Sequence, residues 1–185
     1  MNRFQWKSGK TLSIFLLLLF VYLLIRVRTY EYKITQFLPK VHPNEPWEFI
    51  ADFSNMKSLN PTIKDFTIVA ESGNYNHWKY SVDYTENLSH WPYTANHATG
   101  HFQVKSGVKD NFYITSVHRT CFLNGLYCLD SESEFKFSKS NSTNGCVCEE
   151  TVLYECPAFL SSFCKQEVVF QRNAIMKNLH KRFFK

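Results

Sequence analysis

Hydrophobic positions fall into three regimes along the chain: an unbroken apolar run near the amino terminus, a long middle stretch of alternation, and a closing segment with helical spacing. Residues 12–25 form the run, bracketed by Arg3, Lys7 and Lys10 before it and Arg26 and Arg28 after it. As a helix it spans about 21 Å, or about 25 Å with Thr11 and Val27 included. That is short of the roughly twenty residues a spanning helix prefers, yet snorkelling arginines and local bilayer thinning accommodate it. A cleaved signal peptide competes, but it calls for small residues after the core, where Arg26-Val27-Arg28-Thr29-Tyr30 stands. The pattern favours an uncleaved signal-anchor: residues 1–28 are a cytosolic tail and transmembrane segment, and residues 29–185 one domain.

Within that domain, alternation of Tyr32, Ile34 and Leu38 predicts a first strand over 30–38. Pro43-Asn44-Glu45-Pro46 then starts a helix with Asn44 as N-cap, its apolar face formed by Trp47, Ile50 and Phe53. A second short turn over 56–59 ends at Asn60-Pro61. Six strands follow over 62–71, 76–85, 93–105, 111–122, 127–138 and 146–156, separated by Gly/Asn/Ser turns. The stripe Val168, Ile175, Leu179 and Phe183 predicts a last helix over about 160–183.

Asn124-Gly125 predicts a two-residue hairpin, placing Phe122 opposite Tyr127, Thr120 opposite Leu129 and His118 opposite Ser131 on an apolar face. Arg119 with Asp130 and Cys121 with Cys128 fall on the other face. The apolar face extends through Trp78, Tyr80, Val82, Tyr84, Ala98, Gly100, Phe102, Phe112, Ile114, Phe135 and Phe137. Ala98 and Gly100 leave room above their strand for a helix or a ligand.

Charge matters once it is located. All sixteen acidic residues lie beyond residue 28, balanced there by sixteen of the 21 basic ones, so the net charge of +5 belongs to the flanks of the apolar run. A nucleic-acid partner needs a basic face on the folded domain, and only the last helix offers a modest one (Lys177, Lys181, Arg182 and Lys185), so no nucleic-acid partner is expected. Six cysteines (Cys121, Cys128, Cys146, Cys148, Cys156 and Cys164) crowd into 44 residues, an even count suited to disulfides in an oxidising compartment. Their connectivity stays open. Cys121–Cys128 would bridge the hairpin at a wide, hydrogen-bonded pair, which suits a disulfide less well; Cys128 could instead meet Cys156, and Cys164 could reach Cys146 or Cys148 if the sheet curls over it. No C-x-x-C pair supports zinc. Glycosylation sequons stand at Asn87 and Asn141, while Pro61 disqualifies Asn60. The domain is expected in the secretory lumen (endoplasmic reticulum or cell surface), with the amino terminus in the cytosol.

The order strand, two short helices, six-strand meander and long last helix resembles the START-like, or SRPBCC, helix-grip superfamily of lipid-transfer domains, polyketide cyclases and birch-pollen-type allergens. The closest local match runs from Asn44 through Trp47, Asp52 and Phe53 to Pro61, similar to the family's opening helix with its central Trp, aspartate, aromatic and closing proline. The resemblance implies an α+β fold: a seven-stranded antiparallel sheet wrapped on the last helix, two short helices after strand 1, and a hydrophobic cavity between. The anchor and the cysteines depart from the usual soluble member.

On that fold Trp78, Tyr80, Tyr84, Phe102, Phe112, His118 and Leu129 are expected to line the cavity, with His118, bonded to Ser116 or Ser131, as its polar reader. His97 and His101 fall on the outer face, and Glu149 or Glu150 must face inward. Trp91, Leu123, Leu126 and Phe159 gather at one end as a pocket mouth or partner patch. The first strand is expected to start at the other, polar end, so that the anchor attaches opposite the mouth. The leading expectation is membrane-anchored binding or presentation of a lipid or sterol without a cofactor. A protein-interaction module with its core filled by the chain's 17 Phe, 10 Tyr and 4 Trp is the alternative, and a cyclase- or dehydratase-type enzyme using His118 the weakest.

Overall fold

The computed structural model describes residues 3–93, 95–140 and 144–184, with side chains from Thr11 onward. Helix α1 (Arg3–Ile25) leads into strand β1 (Val27–Pro39), which is followed by α2 (Asn44–Ala51) and α3 (Phe53–Leu59). Six strands then run as a meander: β2 (Ile63–Asn74), β3 (His77–Asn87), β4 (Ala95–Ser106), β5 (Phe112–Phe122), β6 (Tyr127–Lys139) and β7 (Gly145–Pro157), before the closing helix α4 (Ser161–Phe183). They form one antiparallel sheet in the order β1-β7-β6-β5-β4-β3-β2. The architecture is a helix grip: a seven-stranded sheet and a long carboxy-terminal helix, with α2 and α3 against the sheet's inner face.

The amphipathic alternation read from the sequence is what the sheet uses. Tyr80, Val82, Tyr84, Ala98, Phe102, Val104, Ile114, Phe135 and Phe137 are buried on one face, where they meet Ile175, Met176 and Leu179 of α4. Trp47 is wholly enclosed, and its indole N–H donates to the Tyr113 carbonyl at 3.2 Å, pinning α2 to β5. Asp52 caps α3 by accepting from Ser54 N at 2.9 Å. Asn44 is not the N-cap of α2: Pro43, already helical in backbone, occupies that position, and the Asn44 side chain meets His42 Nδ1 at 2.6 Å instead.

The hairpin pairs Phe122 with Tyr127, Cys121 with Cys128, Arg119 with Asp130 and His118 with Ser131, the expected register. Its tip differs. Leu123 and Leu126 leave the ladder and close a four-residue loop through a 3-10 turn, with Leu123 and Asn124 in left-handed backbone (φ 51° and 56°) before Gly125 (φ 89°). The Cys121 and Cys128 Cα atoms are consequently 4.0 Å apart, a close rather than a wide pair, and a disulfide joins them.

The end at which the chain enters the domain is also corrected. Only Arg26 separates α1 from β1. Because β1 runs antiparallel to β7, Val27 lies beside Pro157 and Pro39 beside Gly145. The chain therefore enters at the end of the sheet where β7 finishes and the β3–β4 and β5–β6 loops turn, which is the apolar end. Ala158 N donates to Arg26 O at 3.0 Å, tying this entry to the turn before α4. The described side chains of α1, from Leu12 to Ile25, are exposed. Among the described residues no helix is long and apolar enough to cross a membrane.

Candidate functional site

Empty space under the sheet divides into two chambers that share Glu86, Thr120, Ser131, Gln171 and Arg172. The inner one, about 80 Å³, lies among Phe53, Tyr84, Phe102, Ser116, His118 and Ile175. The outer one, about 330 Å³, is walled mainly by apolar groups, among them Leu88, Phe122, Leu129, Tyr154, Leu160 and Phe163. Its volume falls within the range of about 300–1,000 Å³ typical of small-molecule pockets.

Arg172, which lines both, is held in a buried ion pair with Glu150, which lines neither. Arg172 reaches in from α4, its Nη1 donating to Glu150 Oε1 at 2.7 Å, and Ser133 Oγ donates to the same oxygen at 2.9 Å. Burial alone would depress the Arg172 pKa, but the Glu150 carboxylate more than offsets this and keeps it a cation. Arg172 Nε and Glu150 Oε2 are buried without a hydrogen-bond partner in the protein. Each such orphan next to a charged group costs upward of about 1–3 kcal/mol. Glu86, on the inward face of β3 two residues beyond Tyr84, is buried nearby. Burial pushes its carboxyl up to about 7, with Arg172 pulling against that and Glu167 adding to it.

His118 Nδ1 pairs with the Tyr84 hydroxyl at 3.0 Å and Nε2 with Ser116 Oγ at 2.8 Å. Burial, with the Arg172 charge, pushes its pKa down to about 3, so the ring is neutral at ordinary pH. The space that Gly100 leaves is taken by this imidazole rather than by a helix or an open cavity: a Cβ there would lie 2.9 Å from His118 Nδ1.

Glu167 stands in the wall of the outer chamber. Its carboxylate accepts from Ser89 N (2.7 Å), Ser89 Oγ (2.8 Å), His90 N (2.8 Å) and His90 Nδ1 (2.6 Å), holding the β3–β4 loop to α4. Burial would raise this carboxyl, yet the bonds from His90 and Ser89 lower it below its usual value. A disulfide between Cys156 and Cys164 joins the end of β7 to the first turn of α4 in the same wall.

The residues expected to line a cavity separate by position. Tyr84, Phe102 and His118 face the inner chamber and Leu129 the outer one. Trp78, Tyr80 and Phe112 border neither: Tyr80 stacks on Phe102 at 4.7 Å, Trp78 packs on Tyr80 at 5.8 Å, and Phe112 lies against Trp47 at 4.9 Å. That half of the aromatic face is packed core. Trp91, Leu123, Leu126 and Phe159 are exposed at the loop tips of the other end. The cysteines correct two alternatives, since Cys128 does not meet Cys156, and Cys146 and Cys148 are buried free thiols out of the pairing. Asn87 donates its amide to Pro92 O at 2.9 Å, while Asn141 lies outside the described residues. His97 and His101 are on the outer face, and no cluster of metal-ligating side chains occurs among the described residues.

Arg172, Glu86 and Gln171 were not anticipated. Their signal was a charged or polar group at a position the pattern reserves for apolar ones: Arg172 lies between Val168 and Ile175 on the stripe of α4, and Glu86 continues the inward series Tyr80, Val82, Tyr84.

No family model and no curated protein matches the sequence. Solved structures do match in shape. A START superfamily protein from Mycobacterium smegmatis superposes with a TM-score of 0.53 at 10% identity, covering 84% of this chain and 96% of that one. The protein Ara h 8.0201 gives 0.52 at 15% identity over 85% and 98%, and an uncharacterized protein from Rhizobium leguminosarum gives 0.56 at 10% over 84% and 97%. At these identities the likeness is one of fold.

Proposed function

Starting from a START-like helix-grip fold, we propose that this chain binds one hydrophobic ligand, a lipid or sterol bearing a single hydroxyl, and holds it at a membrane by α1. The observation that carries the reading is an apolar chamber of about 330 Å³ with Arg172 at its floor, a buried cation whose Nε has no hydrogen-bond partner in the protein. A ligand hydroxyl could accept from that Nε. Because Arg172 and Glu150 already neutralise one another, the floor favours a neutral polar head over a second full charge. The apolar body would then fill the outer chamber against Leu129, Phe122 and Tyr154.

The membrane part of the reading rests on the apolar side chains of α1 standing exposed from Leu12 to Ile25. Placing the domain on the lumenal or extracellular side, with residues 1–28 as tail and anchor, agrees with its two disulfides, which suit an oxidising compartment.

The test is the full chain, produced in an oxidising host, purified and extracted with solvent for mass spectrometry. One hydroxylated lipid per chain is expected, and Leu129→Trp, which fills the outer chamber, should abolish it while circular dichroism stays unchanged. A well-folded but empty wild-type chain overturns the reading.

A further inference from the structure

Three loop tips, 88–93, 123–126 and 158–160, stand at the end of the sheet where the outer chamber's lining reaches Leu88, Phe122, Tyr127 and Leu160, and none carries Asp, Glu, Lys or Arg. They display Trp91, Tyr93, Leu123, Leu126, Phe159 and Leu160, with Tyr93 87%, Leu126 86% and Leu123 73% exposed. Leu123 is held outward by left-handed backbone, a conformation a bulky side chain adopts only at a cost. The loops at the other end are charged instead, with Lys40, Lys109, Asp110 and Lys139.

Membrane geometry decides what meets the apolar tips. Helix α1 enters the domain at this same end, with one residue between Ile25 and Val27, and Arg26 O accepts from Ala158 N at the base of the third tip. We infer that the three tips sit in the headgroup layer of the bilayer that holds α1, so that the outer chamber opens onto its own membrane and loads from it. This rests on α1 being embedded, the reading given above. Apolar and aromatic side chains free of like charges suit that layer, and Arg26 and Arg28 lie where lipid phosphates would be. A lipid entering from there meets the chamber with its polar head leading, in the sense that brings a hydroxyl to Arg172.

The experiment uses the full chain in phosphatidylcholine–phosphatidylserine vesicles containing lipid brominated near the headgroup. Trp91 fluorescence is isolated as the difference between wild type and Trp91→Phe. Quenching of roughly half of that difference signal is expected if the indole lies within the interfacial depth of about 5–10 Å. Leu123→Asp with Leu126→Asp should abolish the quenching while the chain stays in the vesicles after alkaline carbonate. An embedded chain whose Trp91 signal is untouched by bromolipid overturns the inference and leaves the anchor standing. Trp91 shielded from both bromolipid and aqueous iodide also overturns it, in favour of a protein or second copy on the tips. Release of the wild-type chain by carbonate removes the anchor reading, and this inference with it.

Discussion

Glu86 and His118 face the same inner space, and their protons respond to burial in opposite ways. Glu86 has its carboxyl raised from 4.5 to about 7, so the folded state holds a proton that the unfolded chain has released. Its favourable contribution is present below pH 4.5 and is lost as pH rises through about 7. His118 is lowered from 6.5 to about 3, so the unfolded chain takes up a proton that the folded state refuses, and stability falls as pH drops below 6.5. Between pH 4.5 and 6.5 the two slopes oppose one another. Urea melts across this window should show Glu86→Gln gaining on wild type by about 1.4 kcal/mol per pH unit as pH rises. His118→Asn should gain by a similar amount as pH falls; parallel curves for either variant would mean that its group does not titrate as placed. Neither group's environment could be read from the sequence. Alternation gives His118 an inward face, but Arg172, which acts on both, comes from a helix whose rotation only the packed structure fixes.

The elements themselves were legible. Strand alternation located β3 to β7 because one face is buried and a slip of one residue would turn that face outward, whereas β2, exposed from Thr67 to Asn74, was placed by the turn signals that bound it. Asn124-Gly125 set the right pairing of β5 with β6, although the loop is longer than a two-residue turn. What spacing could not yield was which cysteines pair, although both disulfides join consecutive elements. Cys156 and Cys164 are near in sequence and straddle the turn into α4, so their disulfide closes a short loop worth about 2–3 kcal/mol. Cys156→Ser with Cys164→Ser should lower unfolding free energy by that amount, read from denaturant midpoints. Burial pushes the Cys146 thiol up to about 12 and Cys148 well above its ordinary value. A thiol reagent should therefore label neither in the native chain, and two thiols after unfolding without reductant. Labelling of four or more would break the disulfide assignment.

At the scale of the molecule, the element order named the fold, yet the end of entry was misread. That end is decided by β1 joining β7, a pairing between opposite ends of the domain that local pattern does not encode. The main described contact of α1 with the rest is at the turn after β7, so residues 26–185 should fold alone. Compared in the same detergent, the truncated and full chains should unfold within about 1 kcal/mol of one another, and a larger gap would make α1 part of the core. The Glu167 clamp has a temporal consequence. One carboxylate takes four bonds from two adjacent residues, so the β3–β4 loop comes away from α4 all at once or stays in place. That side of the chamber wall should therefore open rarely and in a single step rather than fray by degrees.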